Sequence, residues 1–345
     1  MARELLNTLF VTSPNAFVRL DGESLKVELD GAKLLQVPMH HIGSVMLFGT
    51  SMISLPAIHR CAADGRTITL LDQAGRFKAR IVGPTSGNVL LRQAQYEAHR
   101  DPAKTVDLAR SFVAGKLRNM YKTLMRSARE IKSEESRTQL RGAAESIGGL
   151  LVSLPTATDI DQVRGLEGQA SAVYFDVFGL MITVPPTEFA FKLRTRRPPR
   201  DRVNAVLSFI YSLLTADCVG ACEGVGLDPQ FGFLHTLRPG RASLALDLME
   251  EFRSAFADRL TLTLINRRQL RPHDFDEGTS EEESVLLNSD GRKTVLQEYQ
   301  LRKQVEVTHE LLKEKTPLGL IPHLQARLLA RYLREDLDSY IPYSA

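Results

Sequence analysis

"FKARIVGPTSGNVLLRQAQYEAHR", residues 77–100, contains the change on which the fold turns. Its first part, "FKARIVG", reads as a strand, whereas "VLLRQAQYEAHR" repeats its apolar residues at helical spacing. Between them stands "GPTSGN", residues 83–88, a Gly/Pro/Ser break that marks the boundary between two kinds of chain. Upstream the reading is β. "AFVRLDGESLKVEL", residues 16–29, is two short β-favouring runs around Asp21-Gly22, a hairpin signal. "KLLQVP", "IGSVMLF" and "RTITLLD" continue the pattern, interrupted by one short helix near residues 56–64.

Downstream the period becomes 3.6 and stays so. Helices are predicted near 89–98, 102–132, 136–150, 159–182, 203–222, 242–256, 259–270, 293–314 and 317–338. "HDFDEGTSEEES", residues 273–284, reads as an acidic mobile loop, and "SVLLNSDGRKTVL" after it resembles a small hairpin before a helix. The expected fold class is α+β with two domains: a small N-terminal β-strand domain over residues 1–83, a linker at 84–88, and a larger all-α catalytic domain over 89–345.

With 345 residues the chain has room for two cores, and 43% hydrophobic with 25% charged residues is ordinary for a soluble protein. A formal charge of +3 is too small to imply nucleic acid by itself, so the placement of charge must carry that argument. The sequence shows no apolar run of about 18 residues and no signal-peptide pattern at "MARELLNTLFVTSP", so a cytoplasmic protein with no membrane partner is expected. Cys61, Cys218 and Cys222 are an odd number without a second metal-spaced pair, and read as reduced core thiols rather than a zinc site.

Three stretches carry chemistry. In "DIDQVRGLEGQASAVYFDVF", Val163, Leu166, Ala170, Val173, Tyr174 and Val177 fall on one face at 100° per residue, and Glu167 falls among them. A carboxylate there needs a cation or a metal; an arginine such as Arg164 is the ordinary alternative. Gly165 and Gly168 weaken the helix by about 1 kcal/mol each, which suggests close packing against it. In "GFLHTLRPGRASLALDLMEEFR", residues 232–253, Ser243 is a plausible N-cap, while Ala245, Leu248, Met249, Phe252 and Phe256 form the core stripe. Asp247 and Glu250 lie opposite, which alone describes a solvated face. His235 before the Pro-Gly turn, joined to a core-facing Glu167, turns that face into a candidate site. One imidazole with hard oxygen ligands suits Mg²⁺ or Mn²⁺ better than zinc. In "FKLRTRRPPRDR", Pro198 and Pro199 forbid helix, so the arginines lie on an extended segment with the geometry for phosphate. A second stripe, Arg118, Lys122, Arg126 and Arg129, reads as a solvated helix face. Acids, a histidine and arginines together fit metal-assisted phosphodiester chemistry.

"GLEGQASAVYF", "RRPPRDRVNAVLSFIYSLL", "GFLHTLRPGRASLALDLMEEFR" and the N-terminal β domain, in that order, resemble the CRISPR-associated adaptation integrases, the first of the Cas proteins. The resemblance is close to full length, and its overall style is nearest the type I-C branch. It implies a DNA endonuclease and integrase that inserts prespacer DNA into a CRISPR array by 3′-hydroxyl transesterification at repeat ends. It also implies homodimers, double-stranded DNA as prespacer and array, and the smaller second adaptation protein as partner. Carried over by position, the catalytic set is Glu167, His235, Asp247 and Glu250. The metal ligands are Glu167, His235 and Glu250, with Asp247 orienting or assisting. The expected DNA-binding residues are Arg196, Arg197, Arg200, Arg241 and Arg253. Two rival readings remain: a non-catalytic nucleic-acid-binding scaffold, disfavoured by Glu167 on an apolar face, and a phosphohydrolase of small substrates, disfavoured by the lack of a Gly-rich nucleotide loop.

Overall fold

The computed structural model describes residues 6–84, 89–196, 198–277 and 284–345. Its N-terminal part runs β1 (Asn7–Val11), β2 (Phe17–Asp21), β3 (Ser24–Leu29), β4 (Ala32–Pro38), β5 (Ile42–Phe48), β6 (Met52–Ile53), α1 (Leu55–Ala63), β7 (Thr67–Leu71) and β8 (Phe77–Ile81). They form two four-stranded sheets, ordered β4-β3-β2-β6 and β1-β5-β7-β8. The β2–β3 hairpin pairs Asp21 with Ser24, and Gly22 supplies the positive φ of +57° that its tight turn needs. In the second sheet β1, β5 and β7 are parallel, and β8 returns antiparallel.

β5 explains how this part meets the rest. Val45 and Leu47 enter the core of the β domain, with Leu9, Val18, Leu25 and Cys61. Met46 and Phe48, on the opposite face, belong to the core of the helical part. A strand buried on both faces reads as an unbroken apolar run, as "VMLF" does. The Phe48 and Phe209 rings lie 6.1 Å apart, and a Cβ on Gly75 would come within 2.6 Å of Phe209.

The helical part contains α2 (Val89–Arg100), α3 (Pro102–Glu130), α4 (Glu134–Ser153), α5 (Ile160–Asp176), α6 (Arg202–Val225), α7 (Ser243–Glu250) and α8 (Arg259–Asn266). β9 (Phe275–Glu277), β10 (Val285–Leu287), α9 (Ser289–Gln304), β11 (Glu306–Thr308), β12 (Lys315–Pro317) and α10 (Ile321–Leu333) complete it. Asp101, Asp159 and Asp201 cap α3, α5 and α6 by accepting backbone N–H groups of the first turn. The fold is therefore α+β in two parts, as expected, with two corrections to the all-α reading of the second. β9 pairs with β10 and β11 with β12 as three-residue ribbons. The "SVLLNSDGRKTVL" hairpin does not form: Asn288 caps α9, and Val285–Leu287 pairs backwards with Phe275–Glu277. The expected acidic loop lies partly, at 278–283, outside the described residues, as do 85–88 of the linker.

α6 also corrects the reading of hydrophobic length. By length and composition it would cross a membrane, but 67% of its apolar window is buried inside the protein. It is the central core helix, with Val206, Leu207, Ile210, Cys218 and Cys222 all buried. Cys61, Cys218 and Cys222 are indeed free, buried thiols.

Candidate active site

The site is assembled by α3, α5, α7 and the loop before α7. α7 is buried on every side. Asp247 is 0% and Glu250 3% exposed, so the solvated face that these acids describe when taken alone does not exist. Ser243 is the first residue of the helix rather than its cap, and donates its hydroxyl to the Thr236 carbonyl. After Glu250 the chain widens into a π-helical turn, Arg253–Asp258, which replaces the predicted continuous helix to 256.

The loop 232–235 wraps around the Asp247 carboxylate. Oδ2 accepts the N–H groups of Phe233 and Leu234 at 2.6 and 3.0 Å, and Oδ1 accepts the N–H of His235 at 2.9 Å. Only glycine permits this approach at 232, because a Cβ there would lie 2.6 Å from Asp247 Oδ2. His235 Nδ1 stands 2.6 Å from Asp247 Oδ1, which turns Nε2 towards Glu250 Oε1, 3.8 Å away. Asp247 therefore spends its oxygens on fixing the loop and the imidazole.

Glu167 stands at the edge of the buried face of α5, with its side chain 26% exposed, and accepts from Ser171 Oγ at 2.9 Å. Its cationic partner is neither Arg164 nor another arginine. Arg164 pairs with Asp161 and donates to the Leu234 carbonyl. Lys116 of α3, 5% exposed, pairs with Glu167 and reaches Glu250 Oε2 at 2.8 Å. That second contact lies off the line of a hydrogen bond, so Glu250 Oε2 is buried with charge beside it but no aligned donor. The glycines flanking Glu167 do not mark close packing: a Cβ at Gly165 or Gly168 meets nothing within 4 Å.

Beneath these groups, Arg253 donates Nε to Glu250 Oε1 at 2.9 Å and lies 4.7 Å from the centre of the Tyr211 ring. Burial pushes the Glu250 carboxyl up, but the charges of Arg253, Lys116 and His235 outweigh it and hold Glu250 well below the usual carboxylate range. Tyr211 donates to Asp258 at 2.6 Å, and burial pushes Asp258 up to about 6 against that hydrogen bond and the charges of Arg253 and Arg194. Arg194 covers Tyr211 at 5.3 Å and donates to Asn204 and Ser208. The proline-rich segment that carries Arg194, Arg196 and Arg200 is irregular, as its prolines require, and is tied down by Val285 N–H to Pro199 O at 2.9 Å.

Glu167, His235, Asp247 and Glu250 are thus brought together. Arg196 and Arg200 are exposed; Arg197 lies outside the described residues. Arg241, in the turn after His235, is half-buried, and burial with the nearby Arg238 and Arg164 pulls its guanidinium below the usual range. Arg253 is enclosed beneath the site, where it holds Glu250 and Tyr211, so its expected place on a DNA-binding surface is corrected. Among the described residues no three His, Cys, Asp or Glu side chains already stand in metal-binding geometry. The reason is visible in Lys116, whose ammonium occupies the space between Glu167 and Glu250. Sequence reasoning missed it, although a lysine among Ala109, Phe112, Val113 and Met120 on the apolar face of α3 is the same signal that singled out Glu167.

Residues 9–301 match the sequence profile of the CRISPR associated protein Cas1 family. A "CRISPR-associated endonuclease Cas1 1" of Moorella thermoacetica is 51% identical over 339 residues, which cover 98% of each chain. Among solved structures, a casposase bound to integration product superposes with a TM-score of 0.83 at 23% identity, covering 97% of this chain and 93% of that one. A chain of a Cas6-RT-Cas1–Cas2 complex gives a TM-score of 0.82 at 22% identity, over 100% of this chain and 37% of that one. A β domain joined to a helical domain, with the two acids of buried α7 beside Glu167 of α5 and a histidine from the preceding loop, defines a Cas1-type fold. The chain belongs to the Cas1 family.

Proposed function

We propose that the protein is a metal-dependent DNA endonuclease and integrase of CRISPR adaptation, joining prespacer 3′-hydroxyls to repeat ends by transesterification. The single observation that carries this reading is the gathering of Glu167 and Glu250 on the buried ammonium of Lys116, with His235 Nε2 3.8 Å from the other oxygen of Glu250. Buried carboxylates gathered at one point need a positive charge there. The donor set fits a hard divalent ion: two carboxylates, one with an unaligned buried oxygen, and one imidazole nitrogen left free by the bond of the other to Asp247. Glu167, Glu250 and His235 would hold Mg²⁺ or Mn²⁺, which supplies Lewis acidity at the scissile phosphate.

The protein's own groups do the positioning. Asp247 fixes the His235 ring, and Arg253 holds Glu250 ionised and aimed at the centre. Arg196, Arg200 and Arg241 meet DNA phosphates beside it, and Arg194 anchors that segment on Tyr211. The relatives named as endonucleases, the casposase on its integration product and the Cas1–Cas2 complex support DNA as substrate and a second adaptation protein as partner. The chain acts as a homodimer through its β domain, residues 1–83, with residues 89–345 as the catalytic part.

The test is half-site integration of a labelled oligonucleotide into a CRISPR-array plasmid, with and without the partner and with Mn²⁺, Mg²⁺ or EDTA. Integration that vanishes in EDTA, while gel-shift binding of DNA persists, is the expected result. DNA binding without cleavage or integration under any metal would instead identify a scaffold.

A further inference from the structure

A second basic site lies on the far half of α3. Thr123, Ser127 and Arg126 of that helix face Arg259, Thr263 and Arg267 of α8 across a cavity of about 220 Å³. Thr123 is on the same stripe of α3 as Lys116, about 10 Å further along its axis at 1.5 Å per residue. The stripe of Arg118, Lys122, Arg126 and Arg129 therefore does not all end in solvent. Lys122 is tied to Ser344 and the Ala345 carbonyl, whereas Arg126 turns to the cavity.

The charges there are poorly matched. Glu130 is the one acid lining the cavity among the described residues, and Arg126 Nε already donates to it at 2.9 Å. The guanidiniums of Arg259 and Arg267 make no hydrogen bond or ion pair among the described residues. Arg302, on neighbouring α9, has its Nε buried without a partner. Burial, with the like charges of Arg302 and Arg126, pulls Arg259 down to about 10. A half-buried Arg259 set among like charges, with exposed Arg267 at the rim and the hydroxyls of Thr123 and Ser127 beside them, is short of an oxyanion.

We propose that this cavity is a phosphate-binding site, in which the Arg259 and Arg267 guanidiniums and the hydroxyls of Thr123 and Ser127 hold a phosphate group. The group is either a phosphodiester of bound DNA or a free phosphate ester; the oxyanion chemistry is common to both. The site does not use Glu167, His235 or Glu250, and stands whether or not the metal reading holds.

Thermal melts of the full chain in EDTA, at constant ionic strength set with chloride, measure binding of inorganic phosphate. Because phosphate stabilises proteins generally, the readout is the difference between wild type and variants. The melting temperature of wild type should rise with phosphate, and Arg259→Gln and the exposed-rim Arg267→Gln should each weaken the response by about tenfold in concentration. Should Arg259→Gln fail to fold, Arg267→Gln and Arg259→Lys carry the comparison. Equal responses in wild type and variants, or none in any, overturn the site. A DNA-binding salt slope made shallower by about one in Arg267→Gln, together with the lost phosphate response, identifies a DNA phosphodiester as occupant. An unchanged slope with that response lost identifies a free phosphate ester. A shallower slope without any response to inorganic phosphate refutes a built cavity and leaves only a surface arginine.

Discussion

Replacing Lys116 with methionine tests the centre of the site directly. Methionine keeps most of the length of the side chain and removes the ammonium that Glu167 and Glu250 share. Removing one partner of a buried pair costs about 3–5 kcal/mol. The low end applies here, because Glu167 is 26% exposed and can rehydrate, and Glu250 keeps Arg253 at 2.9 Å. About 3 kcal/mol, at an unfolding entropy of about 2.1 cal/mol/K per residue over 345 residues, lowers Tm by about 4 °C in EDTA. Manganese should reverse the order. In wild type a divalent ion must displace or coexist with a positive charge a few ångströms away, an opposition of several kcal/mol at an effective dielectric near 20 before the lysine swings aside. Lys116→Met removes that opposition, so the Mn²⁺ concentration that gives half-maximal stabilisation should fall by about tenfold or more. Scanning calorimetry with a Mn²⁺ titration reads both quantities. An unchanged Mn²⁺ midpoint, whatever the fall in EDTA, would refute the idea that Lys116 stands where the metal binds.

The second prediction concerns Glu251, whose carboxyl burial pushes up to about 8 against bonds from Tyr340, the Tyr343 N–H and Gln325. A folded-state pKa raised above the ordinary 4.5 gives stability that is complete below about 4.5 and lost as pH rises through about 8. The Tm advantage of wild type over Glu251→Gln should therefore shrink between pH 5 and 8.5; a constant difference would contradict the burial argument. Arg196→Gln with Arg200→Gln should weaken DNA binding for every sequence and flatten the slope of log K against log salt by about two, as measured by gel shift. Gly232→Ala forces a Cβ to within 2.6 Å of Asp247 Oδ2, which should cost about 1–3 kcal/mol in a denaturant melt and abolish integration while DNA binding persists. Integration at the wild-type rate would show that the loop can yield without moving His235.

The large divisions of the fold were legible because the hydrophobic period changes from two to 3.6 across residues 83–88, and such a change survives any tertiary context. The ribbons β9–β10 and β11–β12 were not. Three-residue strands carry almost no periodic signal, and Val285–Leu287 takes its partner from upstream rather than across the turn that follows it. Glu167, His235, Asp247 and Glu250, singled out in the sequence, lie close together in the fold, but the surroundings of the α7 acids were not legible. A helix reading assumes one wet side, and α7 has none, so Asp247 and Glu250 looked solvated when each is enclosed by partners from other elements. Lys116, Arg194 and Tyr211 were missed for the opposite reason. Each is an unremarked member of a long helix or segment until folding brings it against Glu250, Arg253 and Asp258.

Glu250 and Glu251 are chemically the same and adjacent, yet the protein pushes their carboxyls in opposite directions. One is a carboxylate caged by Arg253, Lys116 and His235. The other has no cation beside it: burial pushes its carboxyl up, and Tyr340, Gln325 and the Tyr343 N–H donate to its oxygens. One residue along a helix is a 100° turn, so a slip of α7 by a single position would take one carboxylate away from its cations and set the other carboxyl among them. The pair acts as a key cut on both edges. It fits in a single orientation, and it ties the aim of Glu250 to the seating of a chain segment 90 residues further on.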